Sequence, residues 1–305
     1  MEGVTTDTAT EVFEEHRPVL MGVAYRMLGR VADAEDVVQE TWLRWSGTDP
    51  SDVRAPRGYL VRITTRLAID RLRHVRSRNE AYVGPWLPEP YVTDFADTVP
   101  DAAERAVLAD SVSLAVLVVL ESLSPLERAV FVLREAFGYP YADIAAVLDR
   151  NEPAVRQLAG RARKHVDERR PRYEVDPAER REMTEKFLAA AAGGDLEDLM
   201  ALLAPDVRLV GDSGGLAQAP VRVLESADKV GRFLHGVARK GVPDAAFRFM
   251  EINGGPALVT LSGDKVDNVL QLDVVDGRVQ CVYILRNPRK LLSLPVDHRP
   301  SRDRP

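Results

Sequence analysis

Residues 141–165 read YADIAAVLDRNEPAVRQLAGRARKH. The spacing predicts two short helices about a tight joint. The first, Tyr141 to Leu148, carries apolar Ile144, Ala145, Val147 and Leu148. The joint is Asp149-Arg150-Asn151. The second helix starts at Glu152 with Pro153 in its first turn, where a missing N–H costs nothing. Val155, Leu158 and Ala162 recur at helical spacing and face a core. Arg156, Gln157, Arg161, Arg163 and Lys164 remain outside. Arg and Gln are the side chains that read guanine and adenine edges in the DNA major groove. A solvated, charge-rich helix hairpin fits the same residues, and this stretch does not separate the two readings.

The rest of the chain narrows them. Its 305 residues hold two or three small domains, each with its own core. A single cysteine, Cys281, excludes an internal disulfide and a cysteine-cluster zinc site, and fits a reducing cytoplasm. No metal or cofactor is expected. The N-terminus is polar and acidic, so no signal peptide is expected. The most apolar run, Ser111 to Leu120, is too short to span a bilayer and is flanked by Asp110 and Glu121. The net charge of -6 argues weakly against nucleic acid, but its distribution matters more. From Arg54 to Arg78 there are eight Arg against one acid, Asp70. From Arg150 to Arg172 there are eight Lys or Arg against three acids. Between these blocks, Asn79 to Glu104 holds six acids and no Lys or Arg.

Residues up to Thr8 read as a frayed end. A helix follows from about Thr10 to Leu28, kinked at Pro18 and ended by Gly29. In the second helix Asp33 is the N-cap candidate, with Glu35 and Asp36 in the first turn. Val37, Val38, Thr41, Trp42 and Trp45 supply its apolar side. Pro56 opens a third helix with Tyr59, Leu60, Ile63, Leu67 and Leu72 inside. Arg57, Arg62, Arg66, Arg71 and Arg73 lie largely outside.

Three segments of this region, Asp33 to Trp42, Gly58 to Leu60 and Ala68 to Arg73, resemble domain two of bacterial extracytoplasmic-function sigma factors of the sigma-70 family. The hairpin at 141–165 resembles their domain four. Together they imply a promoter-specificity factor in the cytoplasm, with core RNA polymerase (its β′ and β subunits) and promoter DNA as partners. The resemblance assigns Asp33, Glu35, Asp36, Gln39 and Glu40 to polymerase binding. It assigns Arg57, Arg62, Arg66, Arg71 and Arg73 to the minus-ten element. Arg156, Gln157, Arg161, Arg163 and Lys164 fall to the minus-thirty-five element. Melting needs an unpaired base captured outside the stack, which a polar loop beside an arginine-lined helix provides.

The linker at 79–100 is acidic and rich in proline, and is expected to be extended. Trp86-Leu87-Pro88-Glu89-Pro90 is unusual there, because a Trp wants an apolar seat. It resembles the linker signature of the sigma subgroup with a fused SnoaL-like C-terminal domain. Domain four, 101–170, is expected to open with a capping box at Asp101 and Glu104. A stronger box stands at Ser124-Pro125-Leu126-Glu127, in a helix ending at Gly138.

After Pro171 the composition changes. Helices Glu179 to Ala192, Leu196 to Leu203 and Ser226 to Arg239 precede strands Ala246 to Ile252, Ala257 to Ser262, Val266 to Val275 and Arg278 to Leu285. Asn253-Gly254-Gly255 and Asp276-Gly277 mark turns. The expected fold is therefore multidomain. Domain two (8–78) is a helical bundle and domain four a helix-turn-helix, both all-α. An α+β SnoaL-like cone (177–294) follows. Gly211 to Gly215 and Asn287 to Leu291 resemble two further signatures of the subgroup. Two departures stand out: Ser213 where glycine is usual, and Arg289 where Asp is usual. The resemblance makes this domain regulatory, through Trp86, Asp212, Asn287, Arg289 and Lys290. The basic cluster Arg286, Arg289 and Lys290 is expected to dock on the acidic linker, with Leu291, Leu292 and Leu294 adding apolar burial. The alternative is that this tail caps its own cone.

Catalysis would need a general base in an apolar pocket with an oxyanion partner. Asp212, His235 and Tyr283 are the candidates, and nothing in the sequence brings them together. The chain is therefore not expected to be an enzyme. A small ligand in the cone, a one-component helix-turn-helix regulator, and a SnoaL-like enzyme with a DNA-binding half stay open as alternatives.

Overall fold

The computed structural model describes residues 2–79, 82–92, 113–169, 177–193 and 196–294. The expected capping box at Asp101 and Glu104, and the linker acids Glu80, Asp94 and Asp97, lie outside them. The chain forms two compact units. The first comprises residues 1–81 and 99–172. The second comprises 82–98 and 173–305.

In the first unit α1 (Glu2–Leu28), α2 (Val31–Ser46) and α3 (Pro56–Asn79) pack side by side. Helix α1 begins ahead of Thr10 and runs through Pro18. Gly29, at φ 66°, ends it. The chain re-enters a helix at once, with Ala34 N–H donating to the Arg30 carbonyl. Arg30 therefore holds the N-cap position expected of Asp33, and Asp33 is free to point into the bundle. Trp45 is fully buried and its indole N–H donates to the Ala9 carbonyl at 2.8 Å. Thr41 and Thr64 return their hydroxyls to the carbonyls of Val37 and Leu60 and meet each other at 3.1 Å. Two small, self-satisfied polar side chains thus let α2 and α3 approach closely.

The same unit continues with α4 (Leu114–Leu120), α5 (Pro125–Phe131), α6 (Tyr141–Leu148) and α7 (Glu152–Arg169). The capping box at Ser124 is complete: Ser124 Oγ accepts from Glu127 N–H, and the Glu127 carboxylate accepts from Ser124 N–H. Those bonds to the charged form, Ser124 Oγ–H first, hold the Glu127 carboxyl below its ordinary value. Helix α5 passes into a π-helical turn, Val132–Ala136, which the spacing did not reveal. Gly138 (φ 66°) ends it, and Asp149 (φ 55°) supplies the left-handed joint between α6 and α7. Arg128, 1% exposed, ties α5 to α1 by donating to the Met27 carbonyl at 2.7 Å and to Glu121 at 2.8 Å.

The second unit packs α8 (Pro177–Gly193), α9 (Leu196–Leu202) and α10 (Ala227–Lys240) on a six-stranded sheet. Its strands are β1 (Leu203–Asp212), β2 (Leu224–Glu225), β3 (Ala245–Ile252), β4 (Gly255–Ser262), β5 (Lys265–Val275) and β6 (Arg278–Leu285), in the order β2-β1-β6-β5-β4-β3. β1 runs parallel to β6 and all other neighbours are antiparallel. Strand β1 is absent from the sequence reading, because Pro205-Asp206 breaks its alternation. The turns Asn253-Gly254 (φ 51° and 67°) and Asp276-Gly277 (φ 49° and 67°) each place two residues in the left-handed region, as two-residue hairpins require. Phe187, Leu199, Val207, Leu209, Val230, Leu272, Val282 and Ile284 form the core under the helices.

Cys281 is buried, and burial pushes its thiol up to about 12. From an ordinary value near 9.0, the thiolate fraction falls on the order of a thousandfold. The native chain at pH 8 is expected to resist iodoacetamide and to react fully in guanidinium chloride. Alkylation of the folded protein at the rate of a free thiol would contradict this packing.

Candidate nucleic-acid interface and linker seat

Helix α7 is anchored before it presents anything. Asn151 Oδ1 accepts from Ala154 N–H at 2.9 Å, and Val155, Leu158, Ala159, Ala162 and Val166 are buried. Arg156, Gln157, Arg161 and Lys164 stand exposed. Arg156 is held by Glu152 one turn back, with its guanidinium 4.5 Å from the centre of the Tyr141 ring. Arg134 lies 4.7 Å from the same ring. The sequence held no signal for this Arg134–Tyr141–Arg156 stack, which joins three separate turns. Arg163 departs from the other four: half-buried, it donates to Glu135 at 2.7 Å and braces α7 on the π-helical turn. That hydrogen bond raises the Arg163 guanidinium further above its ordinary value. The exposed Arg156–Glu152 pair is worth at most about 1 kcal/mol, and Arg161 reaches the half-buried Glu127 from a largely exposed position.

On α2 the exposed acids are Glu35, Asp36 and Glu40, with Gln39 beside them. Leu43, 64% exposed, extends this face by one turn. Asp33 is buried and accepts from Arg71 at 2.6 Å, while Asp36 accepts from the same guanidinium at 3.0 Å. The hydrogen bond to Asp33 is the main cause of the raised Arg71 value. Two residues that the sequence reading gave to different partners thus bind each other and staple α2 to α3. On α3 Arg57, Arg62 and Arg73 are exposed, Arg57 beside the Tyr139 hydroxyl and Arg73 beside Asp70. Arg66 is half-buried and donates to the Val147 carbonyl in the last turn of α6 at 2.8 Å.

In the second unit the linker residues Tyr82 to Val92 lie on the α+β domain. Asp212, at the end of β1 and 0% exposed, accepts from the Tyr82 hydroxyl, from Leu87 N–H at 2.8 Å and from the Lys290 ammonium at 2.7 Å. Lys290, 5% exposed, also donates to the Leu87 carbonyl. Its Nζ lies 4.1 Å from the Trp86 ring centre and 5.0 Å from that of Tyr82. An ammonium between two aromatic faces and a carboxylate is paired, hydrogen-bonded and screened from water. Asn287 Nδ2 donates to the Tyr82 hydroxyl at 2.8 Å. Gly214 (φ 56°) backs this contact: a Cβ there would lie 2.5 Å from Asn287 Nδ2. Further along, Asn253 N–H donates to the Tyr91 carbonyl and Val92 bridges Ile252.

The structure thus gathers Trp86, Asp212, Asn287 and Lys290 at one place. Arg289 stays outside; it is exposed and gives its backbone N–H to Asn287 Oδ1. A position that serves through its backbone accepts Arg in place of Asp. The tail divides between the two expectations. Lys290 reaches the linker, whereas Arg286 pairs with Asp267 of its own sheet at 2.6 Å. Leu291 and Leu294 are buried and Leu292 is exposed. Asp212, engaged by three donors, is spent as a general base; His235 lies on α10 and Tyr283 on β6. Among the described residues no cluster of His, Cys, Asp or Glu could hold a metal ion, and no helix is long and apolar enough to cross a membrane.

By class, a buried-stripe helix-turn-helix with a basic outer face makes the first unit a nucleic-acid-binding module. Comparison with known proteins specifies it. Residues 12–78 match the family model for sigma-70 region 2, and residues 113–166 that for sigma-70 region 4. Over 297 residues the chain is 40% identical to the ECF RNA polymerase sigma factor SigJ of Mycobacterium tuberculosis (strain ATCC 25618 / H37Rv), covering 94% of each chain. It is 32% identical over 287 residues to the probable ECF RNA polymerase sigma factor SigI of M. tuberculosis (strain CDC 1551 / Oshkosh), covering 93% of this chain and 95% of that one. The crystal structure of M. tuberculosis SigJ superposes with a TM-score of 0.76 at 39% identity, over 94% of this chain and 100% of that chain. The chain belongs to the ECF sigma factors of the sigma-70 family. It directs transcription initiation with core RNA polymerase on promoter DNA, and the family is not one of enzymes.

Proposed function

We propose that the exposed α2 face of Glu35, Asp36, Gln39 and Glu40 docks on core polymerase. In this reading α3 holds the minus-ten element and α7 reads the minus-thirty-five element in the major groove. The factor works in the cytoplasm, where core polymerase is. The observation that carries this assignment is the sorting of charge: the acids of α2 and the bases of α7 are exposed on helices whose opposite sides are buried. Charge reversal at Glu35 and Glu40, neither of which supports the Asp33–Arg71 staple, should weaken binding to core polymerase by roughly ten- to a hundredfold at moderate salt. Unchanged affinity, with an unchanged melting temperature, would remove α2 from the interface.

We further propose that the α+β domain modulates the sigma regions through the linker. The segment that joins regions 2 and 4 is seated on this domain by Lys290 and Asp212, so its freedom depends on that seat. Run-off transcription with core polymerase, comparing the native chain with one opened at Lys290, measures the coupling. Equal transcript yields at every temperature would leave the domain a passenger.

A further inference from the structure

Gly160 lies in the middle of α7, where glycine weakens a helix relative to alanine. Nothing in the fold asks for it. Its backbone is not in the left-handed region, it is exposed, and a Cβ built there meets no atom within 4 Å. At about 100° of rotation per residue, the buried Val155, Leu158, Ala159, Ala162 and Val166 centre on the opposite side of the helix. Gly160 is therefore on the outward face of α7, within about 40° of its outermost line. Pro153, also exposed, lies on nearly the same line about two turns earlier. Of the exposed long side chains, Lys164 stands on the outermost line with Gln157 beside it, and Arg156 lies on the far side of Gly160. Gly160 thus leaves bare backbone between Arg156 and Lys164, about one turn before and one turn after it.

We propose that Gly160 sets the depth at which α7 seats in the major groove, with base-pair edges of the minus-thirty-five element lying against its backbone. This rests on the reading of α7 as the recognition helix. An α-helix fills a groove about 12 Å wide, so one methyl group on its outward face separates helix and base edges. The flanking Gln157 and Arg161 then lose their reach together. The fold bears the helix weakness of glycine for a contact made outside the chain.

Gly236 provides a matched control. It too sits within a helix, α10, and a Cβ there meets nothing within 4 Å. Gly160→Ala and Gly236→Ala should each raise the Tm by roughly 2–4 °C. Assembled with core polymerase on a promoter fragment, Gly160→Ala should lose at least about tenfold in affinity. The loss should vanish on a fragment with a scrambled minus-thirty-five element. It should keep the same salt slope, since no phosphate-binding charge is removed. Gly236→Ala should bind like the native chain. The double variant Arg156→Ala/Gln157→Ala, measured alongside, tests the underlying reading. If it weakens binding and Gly160→Ala does not, the seating proposal is wrong and the recognition helix stands. If neither changes binding, both fall. A lowered Tm for Gly160→Ala would place the need for glycine inside the fold and overturn the proposal.

Discussion

Exchanging Lys290 for methionine should lower the stability of the second unit by about 3–5 kcal/mol, the usual cost of breaking a buried ion pair on one side. The methionine keeps most of the stem and its packing. It removes the ammonium that neutralises Asp212 and caps the Leu87 carbonyl. The carboxylate then keeps the Tyr82 hydroxyl and Leu87 N–H as donors but has no cation, at a site without water access. Contacts of Lys290 with the Trp86 and Tyr82 faces are lost as well. Adding Asp212→Asn should recover part of the loss, because it removes the orphaned charge. Denaturant unfolding of the single and double variants measures both values. A loss under about 1 kcal/mol for Lys290→Met would mean that the pair is hydrated and the seat is weak.

Arg128→Met should cost about 1–3 kcal/mol in the first unit, less than Lys290→Met because the Glu121 carboxylate it leaves is partly exposed. Here one guanidinium at 1% exposure satisfies the Met27 carbonyl near the end of α1 and the Glu121 carboxylate before α5. Without it, the Met27 carbonyl and the Glu121 carboxylate each lose this one donor. The π-helical turn beyond α5 leans on the same place, with Arg26 5.0 Å from the Phe137 ring centre. Gly22 admits that ring, since a Cβ there would lie 3.2 Å from it. Calorimetry should show the unfolding transition of this unit lowered or split, with α1–α3 separating from α4–α7. One unshifted transition would show that the two halves hold without this arginine.

What could be read from the sequence was local. Pro56 as a helix start, the Ser124 capping box, Asp149 in a helix joint and the Asp276-Gly277 turn are each decided by residues a few positions apart. The apolar face of α7 follows from spacing alone. The misses are tertiary. Asp33 reads as a cap until Arg71 is seen beside it, 38 residues away. Arg163 reads as a phosphate ligand until Glu135 appears, 28 residues back. Strand β1 is defined by its parallel neighbour β6, and its own pattern is broken by Pro205-Asp206. Trp86 was visible as a side chain in need of a seat, but the seat consists of Asp212 and Lys290, more than a hundred residues later. Gly214 follows the same logic, its need for glycine arising from Asn287 and Tyr82.

The seat also has an order of assembly. Leu87 and Lys290 are 203 residues apart in the chain. At roughly 5–20 residues per second of synthesis, on the order of 10–40 s separate their appearance. α1–α3 are already made when that interval begins and α4–α7 are completed within it, while the linker still has no Lys290 to hold it. Each newly made molecule therefore passes through a stage with its linker unclamped. Only completion of the last strand and the turn after it brings that stage to an end.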